Sequence, residues 1–66
     1  MKDVLVYLFG SDWVCESYIF KYLGLVSDLL IILSEAEHLG YVEIYNTRAS
    51  KFYRITSEGV LYLLSI

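Results

Sequence analysis

The sequence contains no proline, one cysteine and one histidine. Without proline, glycine and short polar residues must punctuate the chain. Cys15 alone cannot form an intramolecular disulfide. With His38 as the single histidine there is no zinc-ligand spacing either, so neither usual staple of a small domain is present. No metal or other cofactor is expected. Also missing are a glycine-rich phosphate loop, a paired His/Cys site and a serine-histidine-acid order, and 66 residues leave little room for a substrate pocket. The sequence reads as that of a non-enzyme. Cations are scarce as well, with five Lys and Arg against eight Asp and Glu for a net charge of -3.

What the chain has in excess is apolar material: 58% hydrophobic residues, including three Phe, one Trp and seven Tyr. A domain of this size buries only about 60% of its extended surface, so some of that material must remain outside the core. Such a surplus points to self-association or a partner surface and excludes intrinsic disorder. One domain over residues 1–66 is expected, marginal as a monomer, with oligomerisation as the remaining means of stabilisation. Lys2 is followed at once by Asp3, and no small-residue cleavage site follows an apolar core, which disfavours a signal peptide. Residues 18–33 are interrupted by Lys21, Ser27 and Asp28 and are too short to span a bilayer easily. The expectation is a cytoplasmic protein without a membrane partner.

Charge is divided unevenly along the chain. Residues 1–43 carry Lys2 and Lys21 against seven carboxylates, whereas residues 44–66 carry Arg48, Lys51 and Arg54 against Glu58. A local contact with a polyanion is compatible with this distribution; strong long-range steering is not.

Residues 3–9 read as a helix with Val4, Leu5, Leu8 and Phe9 on one face, although Val4, Val6 and Tyr7 also suit a strand. After Gly10, Ser11 or Asp12 is a candidate cap for a second helix reaching Leu23, with Cys15, Ile19, Phe20 or Tyr22, and Leu23 facing inward. Leu25 and Val26 then lead to Ser27, read as the cap of a third helix extending to about Leu39. Its inward stripe is Leu29, Leu33 or Ile32, Ala36 and Leu39, while Leu30 and Ile31 widen the apolar surface. Beyond Gly40 the period changes: residues 41–45 and 51–55 alternate around the turn-like segment 46–50, which predicts a β-hairpin. Thr56 caps a last helix whose Gly59 implies either close packing or a frayed first turn.

The resulting order of elements is three helices, a hairpin and a helix, an α+β arrangement that resembles the winged helix-turn-helix plan. Tyr18-Ile19-Phe20-Lys21-Tyr22-Leu23-Gly24-Leu25 is similar to the second helix and turn of bacterial and archaeal winged-helix regulators. Leu33, Ala36, Glu37, Gly40, Tyr41 and Val42 resemble the end of their recognition helix. Tyr53-Arg54-Ile55-Thr56-Ser57-Glu58-Gly59, followed by Tyr62 and Leu63, looks like the wing-to-helix segment of MarR- and PadR-like families. Small proteins of this type are common in archaea and their viruses or plasmids. The resemblance implies a dimeric transcriptional regulator of double-stranded DNA, with a wing beside the phosphate backbone and a third helix at the major groove.

Carried over by position, the third-helix face is Ser27, Asp28, Ile31, Ser34 and Glu35, and the wing supplies Asn46, Thr47, Arg48, Ser50 and Lys51. Two departures stand out. Residues 27–39 contain no Arg, Lys, Asn or Gln to read base edges, and Asp28 and Glu35 would repel phosphates. Arg54 is a further cationic candidate that could instead pair with Glu43 across the hairpin, and Ser27 has a plain capping role as its alternative. Leu30 and Ile31 suit thymine methyl groups, a widened core or a protein partner; the last defines an alternative function as a protein-interaction module. For a homodimer seam the candidates are Val60, Leu61, Leu64 and Ile66 first, then Leu5 and Leu8. Trp13, Tyr18 and Tyr22 are expected mainly to pack helices, with one or two of them left at a dimer surface, Cys15 to be a buried thiol, and His38 to sit on the surface at a helix end.

Overall fold

The computed structural model describes residues 1–24 and 26–65, with the backbone alone at Val26. In chain order these residues form α1 (Lys2–Leu8), β1 (Val14–Cys15), α2 (Glu16–Leu23), α3 (Val26–His38), β2 (Val42–Asn46), β3 (Lys51–Ile55) and α4 (Ser57–Leu64). The three strands make one antiparallel sheet in the order β1-β3-β2. The fold is therefore a small α+β unit of four helices and three strands among the described residues. Its accessible surface is 4468 Å², against roughly 11,000 Å² for an extended chain of this length.

Burial resolves the ambiguity over the first segment. A strand would place Val4, Val6 and Leu8 on one side; instead Val4, Leu5 and Leu8 are buried together while Val6 is 53% exposed, the spacing of a helix. Phe9 leaves α1 in an extended conformation and is exposed. The second helix starts at Glu16, later than the Ser11 or Asp12 cap predicts, because Val14 and Cys15 pair with Tyr53 and Phe52. These two residues cover the β3 edge that a plain hairpin would leave unpaired.

In α3 the inward stripe is Leu29, Leu33 and Ala36, with Ile32 half-buried. Leu39 is exposed, since it lies in the turn that ends the helix. Ser27 is in the first turn, exposed, rather than at a cap. Gly40, at φ 80°, ends α3: its N–H donates to Glu37 O at 3.0 Å and the Tyr41 N–H to Ala36 O at 2.8 Å. This is a Schellman closure, and it needs a left-handed residue at Gly40.

The hairpin register runs from Val42↔Ile55 to Asn46↔Lys51. Its inner face sets buried Val42 and Tyr53 beside half-buried Ile44 and Ile55, and the alternate residues Glu43, Tyr45, Phe52 and Arg54 take the outer face. Thr56 then ties the hairpin to α4. It accepts from the Gly59 N–H at 3.1 Å as N-cap, donates its hydroxyl proton to Gly40 O at 2.6 Å, and donates its own N–H to Tyr41 O at 3.0 Å. Gly59 is buried against this junction, which decides between the two readings of its position in favour of close packing.

Leu5 and Leu8 are each 0% exposed and sit at the centre of the core. They cannot contribute to a seam with a second copy, which corrects that expectation; as the two innermost positions of α1, they are consumed by its packing on the rest of the fold. No helix among the described residues is long and apolar enough to cross a membrane.

Candidate nucleic-acid interface

The hairpin tip is built around Thr47. Its hydroxyl donates to Ser50 O at 3.0 Å and accepts the N–H groups of Ala49 at 3.2 Å and Ser50 at 3.0 Å, while its own N–H donates to Ser50 O at 2.8 Å. One donor and two acceptor sites are all that a hydroxyl offers. Thr47 is thus saturated inside the turn and acts as its brace. Asn46, Arg48 and Lys51 are exposed around it. Ser50 is half-buried, and its hydroxyl accepts from the Cys15 Sγ at 3.6 Å.

Cys15 is half-buried, more open than the buried thiol expected from its apolar neighbours. Its thiol is pulled below its ordinary value, first by the hydrogen bond with Ser17 at 3.3 Å and then by Ser50. Tyr53, the partner of Val14 across β1 and β3, is buried and donates its hydroxyl to Glu16 Oε2 at 2.7 Å. Burial, followed by that carboxylate, pushes the phenol well above its ordinary value.

Arg54 is engaged within the sheet. Its guanidinium donates to both Glu43 oxygens at 3.2 and 3.3 Å, approaches Asp12 at 3.7 Å, and lies over the Trp13 ring at 4.4 Å from the centroid. The pairing with Glu43 that the sequence offered as an alternative is therefore present, and contact with a phosphate would have to displace it. Both ion pairs among the described residues belong to Arg54, which leaves Arg48 and Lys51 without a carboxylate partner.

On α3, Ser27, Asp28, Ile31, Ser34 and Glu35 are all exposed. Leu30, Ile31, Ser34, Glu35 and His38 line an open concavity of about 540 Å³. With Ile31 66% exposed and Leu30 also open, a widened core is ruled out for this pair. On α4, Leu64 is 73% exposed and Leu61 comparably so, whereas Val60 is half-buried; Ile66 lies outside the described residues, as does Leu25.

The aromatic residues depart most from expectation. Tyr22 packs on Tyr7 with ring centroids 5.7 Å apart and Tyr18 is exposed, but Trp13, also exposed, has its aromatic and cation contacts on the hairpin. It stands on the outer face of the sheet, 5.9 Å from the Tyr45 ring, and with Tyr45 and Phe52 lines a second concavity of about 380 Å³. Sequence reasoning missed this group. The signal for part of it was present: in a hairpin joining 41–45 to 51–55, Tyr45 and Phe52 fall opposite each other on the side away from Val42.

Comparison of the chain with protein-family models, with curated proteins and with solved structures finds no match.

Proposed function

We propose that this chain is a winged helix-turn-helix protein that binds double-stranded DNA as a homodimer and regulates transcription in the cytoplasm. The observation that carries this reading is the pair Arg48 and Lys51, exposed and, among the described residues, free of carboxylate partners on a hairpin braced by Thr47. Supporting it is the chain order, in which α2 and α3 follow each other closely and the hairpin leads into a capped last helix. The hairpin acts as the wing. Its cations hold phosphates, which fixes the protein on the duplex without reading sequence. Asn46 and Ser27 add neutral polar contacts, while Asp28 and Glu35 keep α3 from close approach to the backbone. Sequence readout is correspondingly weak, and affinity grows through two linked copies. Leu61 and Leu64 form the seam between them, since they are exposed on a helix whose opposite side is already packed.

The experiment is an electrophoretic or anisotropy titration of the chain with duplex DNA, repeated with Arg48→Ala/Lys51→Ala. The double variant weakens binding uniformly across sequences and lowers the salt slope. Unchanged affinity removes the hairpin tip from the interface.

One observation favours a second reading. Leu30 and Ile31 are exposed side by side beside Glu35 and His38, a composition closer to a protein-docking surface than to a DNA-reading one. A protein-interaction module using this face would ignore DNA altogether.

A further inference from the structure

The geometry points to a binding site for unpaired bases of single-stranded nucleic acid on the outer face of the sheet, formed by Trp13, Tyr45 and Phe52. This goes beyond duplex binding by the hairpin tip, because base faces are hidden in a duplex. Three aromatic side chains, and no aliphatic one, line the concavity. Trp13 and Tyr45 are inclined at 49° and exposed, and Phe52, the cross-strand partner of Tyr45, is half-buried beside them. Aliphatic side chains would present contact area to any apolar partner; flat rings open to solvent present π-faces, to which a base stacks whatever its identity.

The indole is also held in place. Arg54 lies over Trp13 and is itself gripped by Glu43 and Asp12, so one side of the ring is fixed by a charged cluster. A ring already packed on one side before binding has less freedom to lose on stacking. Charge selects the occupant. The hairpin that carries Tyr45 and Phe52 holds three of the five cations of the chain against Glu43 alone, and the remainder has two lysines against seven carboxylates. Arg48 and Lys51, the two hairpin cations without an ion pair among the described residues, stand at the tip that β2 and β3 share. Aromatic rings on a sheet with unpaired cations at the end of the same strands are the two elements needed to hold a strand by its bases and its phosphates.

Trp13 is the only tryptophan, so its emission reports on this site directly. The full chain is titrated with a thymidine oligonucleotide of about 12 nucleotides, with an abasic oligomer of the same length, and with a duplex. Expected are quenching of Trp13 by the thymidine strand and markedly weaker binding of the abasic strand. Tyr45→Leu, at an exposed position, weakens binding of the thymidine strand by about 5- to 100-fold, and Tyr45→Phe retains it. Equal affinity for thymidine and abasic strands, or saturation without a change in Trp13 emission, overturns the inference. Binding of duplex that depends on Arg48 and Lys51, with the single strand ignored, also overturns it while leaving the duplex reading intact; quenching by the single strand without duplex binding does the reverse.

Discussion

Gly59→Ala should destabilise this protein, although the same change in an open helix would stabilise it by about 1 kcal/mol. A Cβ at residue 59 would lie 2.7 Å from Ile55 Cγ1 and still closer to the carbonyl oxygen of Tyr41. Ile55 can rotate away, but the Tyr41 carbonyl cannot. Its peptide is held by the Tyr41 N–H on Ala36 O at 2.8 Å and by the Thr56 N–H on Tyr41 O at 3.0 Å. Relief requires α4 to lift from the start of β2, loosening the Thr56 cap and the Tyr41–Tyr62 ring stack at 4.6 Å. Because the overlap is with fixed backbone, the cost falls in the upper part of the overpacking range, about 2–3 kcal/mol, and helix propensity offsets about 1 kcal/mol of it, for a net loss of about 1–2 kcal/mol. In a domain this small that lowers Tm by roughly 5–15 °C. Thermal and urea unfolding followed by circular dichroism, at one protein concentration because association raises apparent stability, measure it. Ser57→Ala, exposed one residue beyond the cap, is the control and should be near neutral. A Tm for Gly59→Ala equal to or above that of the parent would refute the close approach of α4 to Tyr41.

Three further outcomes follow from the same structure. If the proposed homodimer is joined through α4, Leu64→Asp, which places a charge on a residue that is 73% exposed, leaves the monomer folded and halves the mass seen by light scattering; an unchanged mass removes Leu64 from the proposed seam. Tyr53→Phe removes the 2.7 Å bond to Glu16 and costs about 1.5 kcal/mol at neutral pH, read from urea unfolding. The Tyr53 phenol is raised above its ordinary value of 10.0, so the folded state holds this proton more tightly than the unfolded state. Its contribution is therefore complete below pH 10.0 and is lost as pH climbs towards the folded value, and Tyr53→Phe should flatten that alkaline loss. Thr56→Ala forfeits both the cap on Gly59 and the bond to Gly40 O and should lower stability by about 1–2 kcal/mol, with Thr56→Ser retaining most of it.

Local chemistry made much of this fold legible. The change of period after Gly40, the polar segment between two alternating runs, and Thr56 three residues before Gly59 each fix a boundary without tertiary information. What escaped depends on distant partners. Two residues cannot show a period, and Val14 and Cys15 become a strand only because β3 offers them an edge. Leu5 and Leu8 are equally apolar whether they face a core or a second copy; only the packing of α1 assigns them inside. Arg54 had a legible partner in Glu43 across the hairpin, but Asp12 and Trp13 reach it through β1, about forty residues earlier in the chain. The hairpin-tip cations were legible as exposed charge, whereas the role of Thr47 as the brace of the turn emerges from three hydrogen bonds made by one hydroxyl.

The central claim, a DNA-binding homodimer held to the duplex by its hairpin cations, is tested most directly in one sample. Mixed-sequence duplex is titrated at about 50 and 200 mM salt while light scattering reports the mass. Binding by a dimer that weakens steeply at the higher salt is the predicted result. A folded protein that ignores duplex DNA at both salts would contradict it and give the exposed Leu30 and Ile31 face the leading role.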